Sequence, residues 1–212
     1  MTTMKTTTKM LTMIAACALA GSALTPIAAA QDAASWAETT ENLELRDGFI
    51  PLYIDTSDGR ILARLETGDS DDLGRMIYTA RMTSGLGSNP IGIDRGLGSN
   101  SEILRFFRVN DQVFAEFENT GYRADGAGPE EAAATRNSFA RSIVWSTPVL
   151  AEEDGQILID LSGFLKRDPV GTINRLSNSG QGSFSIAEDR SAPITDSTFV
   201  FPDNVEIDTL LT

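Results

Sequence analysis

The sequence predicts an α+β domain built mainly on an antiparallel sheet, with hairpins, one principal packing helix and an N-terminal signal peptide. Three observations predict this class: two strand–turn–strand patterns, one helical pattern with an apolar face, and an apolar segment near the N-terminus. With 212 residues, the chain has the length of one medium-sized domain or two small ones.

Residues 1–30 have the regional order of a secretory signal peptide. Lys5 and Lys9 give a positive start, an apolar stretch follows, and the small residues 28–30 suit signal peptidase. We therefore expect an exported protein, either periplasmic or extracellular. The alternative is a lipid anchor at Cys17, because the preceding residues loosely resemble a lipoprotein box. No later apolar run is long enough to predict a transmembrane helix.

Two hairpins are predicted after a polar leader. Residues 31–47 are polar and Ala-rich, which indicates a linker or a loose helix ahead of a domain at 48–212. An apolar run, an Asp-Gly turn and an alternating run predict a hairpin over 49–65. The same pattern around an Asn-Asp turn predicts a second hairpin over 106–117.

The principal helix is predicted from about Pro129 to Trp145. Pro suits the first helical position, and two Glu residues follow where the helix dipole favours acids. Thr147-Pro148 would end the helix. The apolar face, which we expect to pack on the sheet, comprises Ala132, Ala133, Phe139, Ala140, Ile143 and Val144.

The C-terminal part predicts a strand, a short helix and a final strand. Residues 156–161 are apolar and strand-like, and residues 165–176 predict a shorter helical stretch. From Val205 onward, apolar and polar residues alternate to the last residue. This alternation predicts a last strand, and it is also expected of a domain that is cut from a longer protein.

Composition excludes several kinds of function. The chain has no His and one Cys, so it has no Ser-His-Asp triad, no His-based zinc site and no internal disulfide. Its net charge of −13 argues against binding to nucleic acid, since nothing would neutralise a phosphate backbone. By residue chemistry alone, no cofactor, metal or catalytic residue is predicted.

Four motifs resemble functional patterns and fail in detail. The Gly-rich segment 85–98 has Pro90 where a dinucleotide loop needs its third Gly, and residues 69–74 lack later ligands of a calcium loop. Asp55 and Asp208 each follow a strand, as the paired carboxylates of aspartic peptidases do, but neither has the Gly expected two positions later. Lys166 sits among charged residues, where a surface ion pair is more ordinary than Ser activation.

Two adjacent acid–base pairs, Asp94-Arg95 and Asp189-Arg190, lie beside small residues. We expect them to be structural, with each Arg bridging loops through bidentate hydrogen bonds. Replacing Arg95 or Arg190 by Ala should then lower the melting temperature.

An ordered series of segments resembles the non-catalytic N-terminal domain of large bacterial exported zinc-dependent metalloproteases of the metzincin type. The resemblance covers roughly residues 48–212. The segments are Ser84–Asn89, Ile91–Gly96, Asn119, Tyr122–Ala124, Ser138–Ala140, Ser142-Ile143, Trp145, Asp160-Leu161, Phe164-Leu165, Arg167-Asp168, Gly182-Ser183, Asp189–Ser191, Phe201-Pro202, Asn204 and Glu206. Within this series Arg123 joins the structural candidates.

The resemblance implies a function that this chain performs only in part. In that family a His-Glu-x-x-His helix in a separate downstream domain holds zinc. None of those residues occurs here, because the chain has no His. We therefore expect a fragment without peptidase activity, which packs on its own downstream zinc domain. The alternative is a stand-alone exported binding or scaffold module, and an aspartic-type enzyme is a distant third.

Overall fold

The computed structural model of the chain describes residues 35–87, 91–122, 124 and 126–212. The predicted signal peptide, Cys17 and Arg123 lie outside the described residues. Ten strands occur in the described part: β1 (Glu44–Arg46), β2 (Leu52–Ile54), β3 (Ile61–Glu66), β4 (Asp72–Tyr78), β5 (Glu102–Val109), β6 (Gln112–Phe117), β7 (Ser142–Glu153), β8 (Gln156–Asp160), β9 (Ala192–Val200) and β10 (Val205–Leu210). The α-helices there are α1 (Trp36–Thr40), α2 (Pro129–Ser138), α3 (Ser162–Leu165) and α4 (Thr172–Asn178).

Eight strands form one antiparallel sheet in the order β1-β2-β3-β8-β7-β6-β5-β4, and β9 pairs with β10 in a separate hairpin. Both predicted hairpins are confirmed, since β2 pairs with β3 and β5 pairs with β6. The strands predicted at 156–161 and near the C-terminus are β8 and β10. The mainly antiparallel architecture that the sequence predicts is therefore confirmed.

The sheet curls so that β4, at one end, approaches β3. Alternate side chains of its strands point inward and form one apolar core, in which Ile54, Ile61 and Val113 are fully buried. Burying each such side chain contributes about 1.5–3 kcal/mol. Phe164 of α3 packs into the same core. The concave face of the curled sheet is thus the main source of stability.

The outer face of the sheet is covered near β2 by the first helix. Ser35 caps α1 by accepting a hydrogen bond from the backbone N–H of Glu38, whose carboxylate accepts one in return from the N–H of Ser35. Trp36 then packs edge-on against Tyr53 of β2, with ring centroids 6.2 Å apart. Residues 44–46 of the predicted leader form β1 and extend the sheet beyond β2.

The principal helix is shorter than predicted, and the prediction that its apolar face packs on the sheet is wrong. The helix α2 ends at Ser138, and residues from Ser142 onward form β7, which pairs with β6 and β8. The β-branched run around Ile143 favours a strand, and Pro148 is accommodated opposite Gln112. None of the described side chains of α2 is buried. The sheet is therefore covered by other elements.

The C-terminal hairpin of β9 and β10 packs beside the curled sheet. Its residues Val200, Val205 and Ile207 contact the apolar core. The guanidinium of Arg46 donates a hydrogen bond to the carbonyl of Thr195 at 2.7 Å, where β9 bulges away from β10. The predicted helical stretch at 165–176 is split into α3 and α4. Within the described residues, no helix has the length and apolar character needed to cross a membrane.

Candidate functional site

An open apolar groove of about 960 Å³ lies between the concave face of the sheet and the C-terminal hairpin. Its floor is the core itself, since Leu52, Leu104, Phe106 and Phe164 all line it. The helix α4 contributes further apolar side chains to its wall. The groove thus exposes part of the face that elsewhere forms the interior of the protein.

Strands β4 and β10 border the groove with their edges. Successive residues of β4, from Met76 to Tyr78, line it, and so do successive residues of β10, from Ile207 to Leu210. Since neighbouring residues of a strand point to opposite faces, such a run indicates that the strand edge lies along the groove. By contrast, β5 contributes only the alternate residues Leu104 and Phe106, which share one face.

Large apolar side chains remain exposed along these edges. Ile77 of β4 is 75% exposed and Leu210 of β10 is 59% exposed. Phe184, which also lines the groove, is half exposed. Exposed apolar side chains beside an apolar groove are typical of interaction surfaces.

Phe164 is the centre of an aromatic cluster beneath the groove. The rings of Tyr78, Phe106 and Trp145 pack against it at centroid distances of 5.6–6.2 Å. The guanidinium of Arg167 lies 4.0 Å from the centroid of the same ring and donates a hydrogen bond to the Phe164 carbonyl. Burial lowers the pKa of Arg167 and raises the pKa of Tyr78.

Acidic side chains lie at the rim of the groove. Asp168 accepts hydrogen bonds from the backbone N–H groups of Thr172 and Ile173 at 2.9 and 2.8 Å, so its carboxylate holds the first turn of α4. Asp203 and Asp208 line the groove from the β10 side and are exposed. The β10 side of the groove thus combines apolar side chains with exposed, negatively charged carboxylates at its rim.

A second feature, the Glu116 cluster, lies on the opposite face of the same sheet. The carboxylate of Glu116 accepts hydrogen bonds from Arg105 at 3.1 Å and from Arg141 at 2.6 Å. Arg105 also pairs with Asp72 at 3.2 Å, and the guanidinium of Arg141 lies 3.7 Å from the ring centroid of Phe107. The described charges of this cluster are therefore paired with one another.

The protonation of Glu116 is set by a balance of two effects. Burial alone would raise the pKa of Glu116, which is only 6% exposed. The hydrogen bonds from Arg141 and Arg105 outweigh burial and hold the pKa below its ordinary value. Glu116 is therefore ionised at neutral pH and serves as a structural anion.

The two acid–base pairs predicted to bridge loops lie on the surface. Asp94, Arg95, Asp189 and Arg190 are all exposed. Among the described residues, no side-chain hydrogen bond or ion pair joins Arg95 or Arg190 to a neighbour. The backbone carbonyl of Arg190 accepts a hydrogen bond from the Thr212 hydroxyl at 3.1 Å. The bridging role of these pairs stays a prediction, which the melting temperature of the Ala variants tests.

The other motifs form local structure. The backbone N–H of Leu86 donates to the Ile93 carbonyl at 2.8 Å, and a Cβ on Gly85 would lie 2.5 Å from that oxygen. Residues 85–86 thus lie closely against residues 93–94. Asp55 accepts hydrogen bonds from Ser57 in its own turn, which lowers the pKa of Asp55, whereas Asp208 lies on β10. No hydrogen bond joins these two carboxylates.

Sequence reasoning missed both the groove and the Glu116 cluster. Part of the cluster had a signal, because a hairpin that turns at Asn110 and Asp111 places Arg105 directly opposite Glu116. Arg141, the other Arg that pairs with Glu116, follows α2 in the sequence, and no local pattern predicts its position beside Glu116. The groove depends on how β10 packs beside the curled sheet, which no local pattern reveals.

The fold and the groove define a curled antiparallel-sheet domain with an open apolar groove. The chain belongs to the DUF5117 family, a domain of unknown function, whose match covers residues 96–212, just over half of the chain. No curated protein and no solved structure matches it significantly. In the described part of the chain, no group of three or more Cys, Asp or Glu side chains is arranged to hold a metal ion.

Proposed function

We propose that the chain is the non-catalytic N-terminal region of an exported zinc-dependent metalloprotease and that it packs on a downstream catalytic domain through the apolar groove. The chain contributes a folded platform, and the zinc ligands and the general base belong to the downstream domain. Export by a signal peptide over residues 1–30 is part of the same proposal.

The observation that carries the proposal is the apolar groove, which the described part of the chain leaves open. A groove whose floor consists of core side chains such as Phe106 and Phe164 is a surface that gains stability when another element covers it. A domain that packs on a neighbouring domain needs such a surface. The exposed Ile77 and Leu210 at its borders fit the same role.

The resemblance of residues 48–212 to the N-terminal domains of these proteases supports the identity of the partner. The absence of His supports the assignment of zinc binding to a downstream domain, because a metzincin site needs three His ligands that this chain lacks. In the proposed protein, the three His ligands therefore belong to the downstream domain.

The deciding experiment is the intact mass of the native protein purified after export from its source cells. A mass far above 22.8 kDa, together with zinc and a sequence that contains His-Glu-x-x-His, is the expected result. A mass equal to that of residues 31–212 would overturn the proposal. As a control, the purified 212-residue chain should neither retain stoichiometric zinc after dialysis nor hydrolyse casein.

The second candidate is a stand-alone exported binding module. The volume of the groove, about 960 Å³, favours it, since ligand pockets commonly measure about 300–1,000 Å³. In that case the native mass corresponds to this chain alone, and an apolar ligand co-purifies with it. Mass spectrometry of the extracted native protein distinguishes the two candidates.

A further inference from the structure

The groove has two strand edges whose backbone hydrogen-bonding groups are available for pairing. Strand β4 is the last strand of the eight-stranded sheet, and β10 pairs with β9 on one side. Among the described residues, the backbone of β4 bonds to the backbone of β5 and that of β10 to the backbone of β9, and no other backbone–backbone bond to either strand occurs. At the start of β4, the N–H groups of Asp72 and Gly74 donate to the side chains of Ser70 and Asp72. An extended polypeptide pairs with a row of such N–H and C=O groups by adding to the edge as a further strand.

The side chains around the groove specify which polypeptide fits. Asp203 and Asp208 line the groove, and Glu206 lies on β10 between them, so the exposed edge carries negative charge. The whole chain has a net charge of −13. A second copy of this chain would place the same acidic edge against itself, which like-charge repulsion disfavours. A segment with basic residues meets no such obstacle.

We propose that the groove takes up an extended polypeptide segment, apolar at alternate positions and flanked by Lys or Arg, which adds as a strand to the free edge of β10. One set of alternate side chains then points to the floor at Phe106 and Phe164, and the basic residues face Asp203 and Asp208. This inference rests on the proposed function only in that it names the chemistry of the segment by which a partner domain docks.

The probe is a fluorescein-labelled peptide, Lys-Val-Thr-Val-Thr-Val-Lys, which is titrated with the purified 212-residue chain by fluorescence anisotropy. One control peptide has Glu in place of both Lys residues, and another carries N-methyl groups on alternate amides. We expect each control to bind at least about tenfold more weakly, through charge repulsion and loss of strand pairing respectively. Equal binding of all three peptides, or binding of none, would overturn the proposal.

Protein variants locate the bound peptide. The double variant Asp203→Asn with Asp208→Asn should weaken binding of the Lys peptide by about fivefold to tenfold and strengthen that of the Glu peptide. The matched control, Asp69→Asn with Asp154→Asn, removes the same charge from exposed turns outside the groove lining and should leave both affinities unchanged. An equal effect of the two double variants would contradict the assignment to β10.

Two further readouts separate this inference from others. Displacement of the peptide by oleate, with tighter binding of oleate itself, would identify an acyl-chain site and overturn the strand proposal. Failure of the peptide to bind, alongside a native mass that includes a zinc domain, would refute the strand and leave the proposed function standing. Specific binding of the Lys peptide, together with a native mass that corresponds to this chain alone, would support the strand and refute the proposed function.

Discussion

The two faces of the β5–β6 hairpin differ in whether the chain's own side chains complete their contacts. On the outer face, Glu116 and the two Arg residues around it pair with one another, so this polar face is completed by the chain's own side chains. On the inner face, Leu104 and Phe106 belong to the core and also to the floor of an open groove. The difference indicates that the ionic cluster is paired internally, whereas part of the apolar face is left open by the described residues.

The strongest test of the inner face is Phe164→Ala. Phe164 is 6% exposed and packs against three aromatic rings and the guanidinium of Arg167. Its removal should lower the free energy of unfolding by about 3–5 kcal/mol, because a cavity remains beneath the groove. Urea denaturation followed by circular dichroism measures the change.

The matched control for Phe164→Ala is Phe184→Ala. Phe184 also lines the groove, but it is half exposed. We expect a change of at most about 0.5 kcal/mol, as for other surface positions. Similar losses for the two variants would mean that the floor and the rim of the groove do not differ in the way the structure indicates.

The outer face is tested by Glu116→Gln. The amide keeps the shape of the side chain but cannot accept from both Arg105 and Arg141 as an anion does. The free energy of unfolding should fall by about 1.5–3 kcal/mol, the usual range for buried hydrogen bonds to a charged group. Glu118→Gln is the control: Glu118 pairs with the well-exposed Arg75, so about 0.2–1 kcal/mol is expected.

The pH dependence of stability checks the same cluster. Since the pKa of Glu116 is lower in the folded chain than its ordinary value, its contribution is complete above the ordinary pKa and is lost as the pH falls through the lowered one. The difference in unfolding free energy between wild type and Glu116→Gln should therefore be largest near neutral pH and shrink as the pH falls below the ordinary range of a glutamate. A difference that grows on acidification would refute this account.

Local signals predicted the hairpins well, because turn residues and alternation act within a few positions. The Asp-Gly turn and the Asn-Asp turn each predict a hairpin that the structure confirms. The helix from Pro129 failed beyond Ser138, since pairing of β7 with β6 and β8 outweighs the helical spacing of Phe139 and Ile143. Local propensity alone does not carry that information.

The candidate site was less predictable than the fold. Its parts come from β4, β10 and α4, which are far apart in sequence and meet only through the curl of the sheet. Apolar residues in strands, such as Ile77, predict burial from the sequence, and only the structure shows that β4 is an edge strand with this side chain exposed. The open groove on the inner face of the sheet is thus a consequence of the sheet topology, which local sequence patterns do not reveal.

The smallest predicted effect concerns Ile77 on the edge strand β4, whose side chain points away from the core, unlike those of Met76 and Tyr78. Ile77→Thr keeps a β-branched side chain on the edge strand but removes an apolar group that is 75% exposed. The unfolding free energy of the isolated chain should change by no more than about 0.5 kcal/mol, because little apolar burial is lost. A loss above about 2 kcal/mol would mean that Ile77 is already covered in the isolated chain. The edge strand β4 would then not be exposed beside the groove, and its place as an open border of the groove would fail.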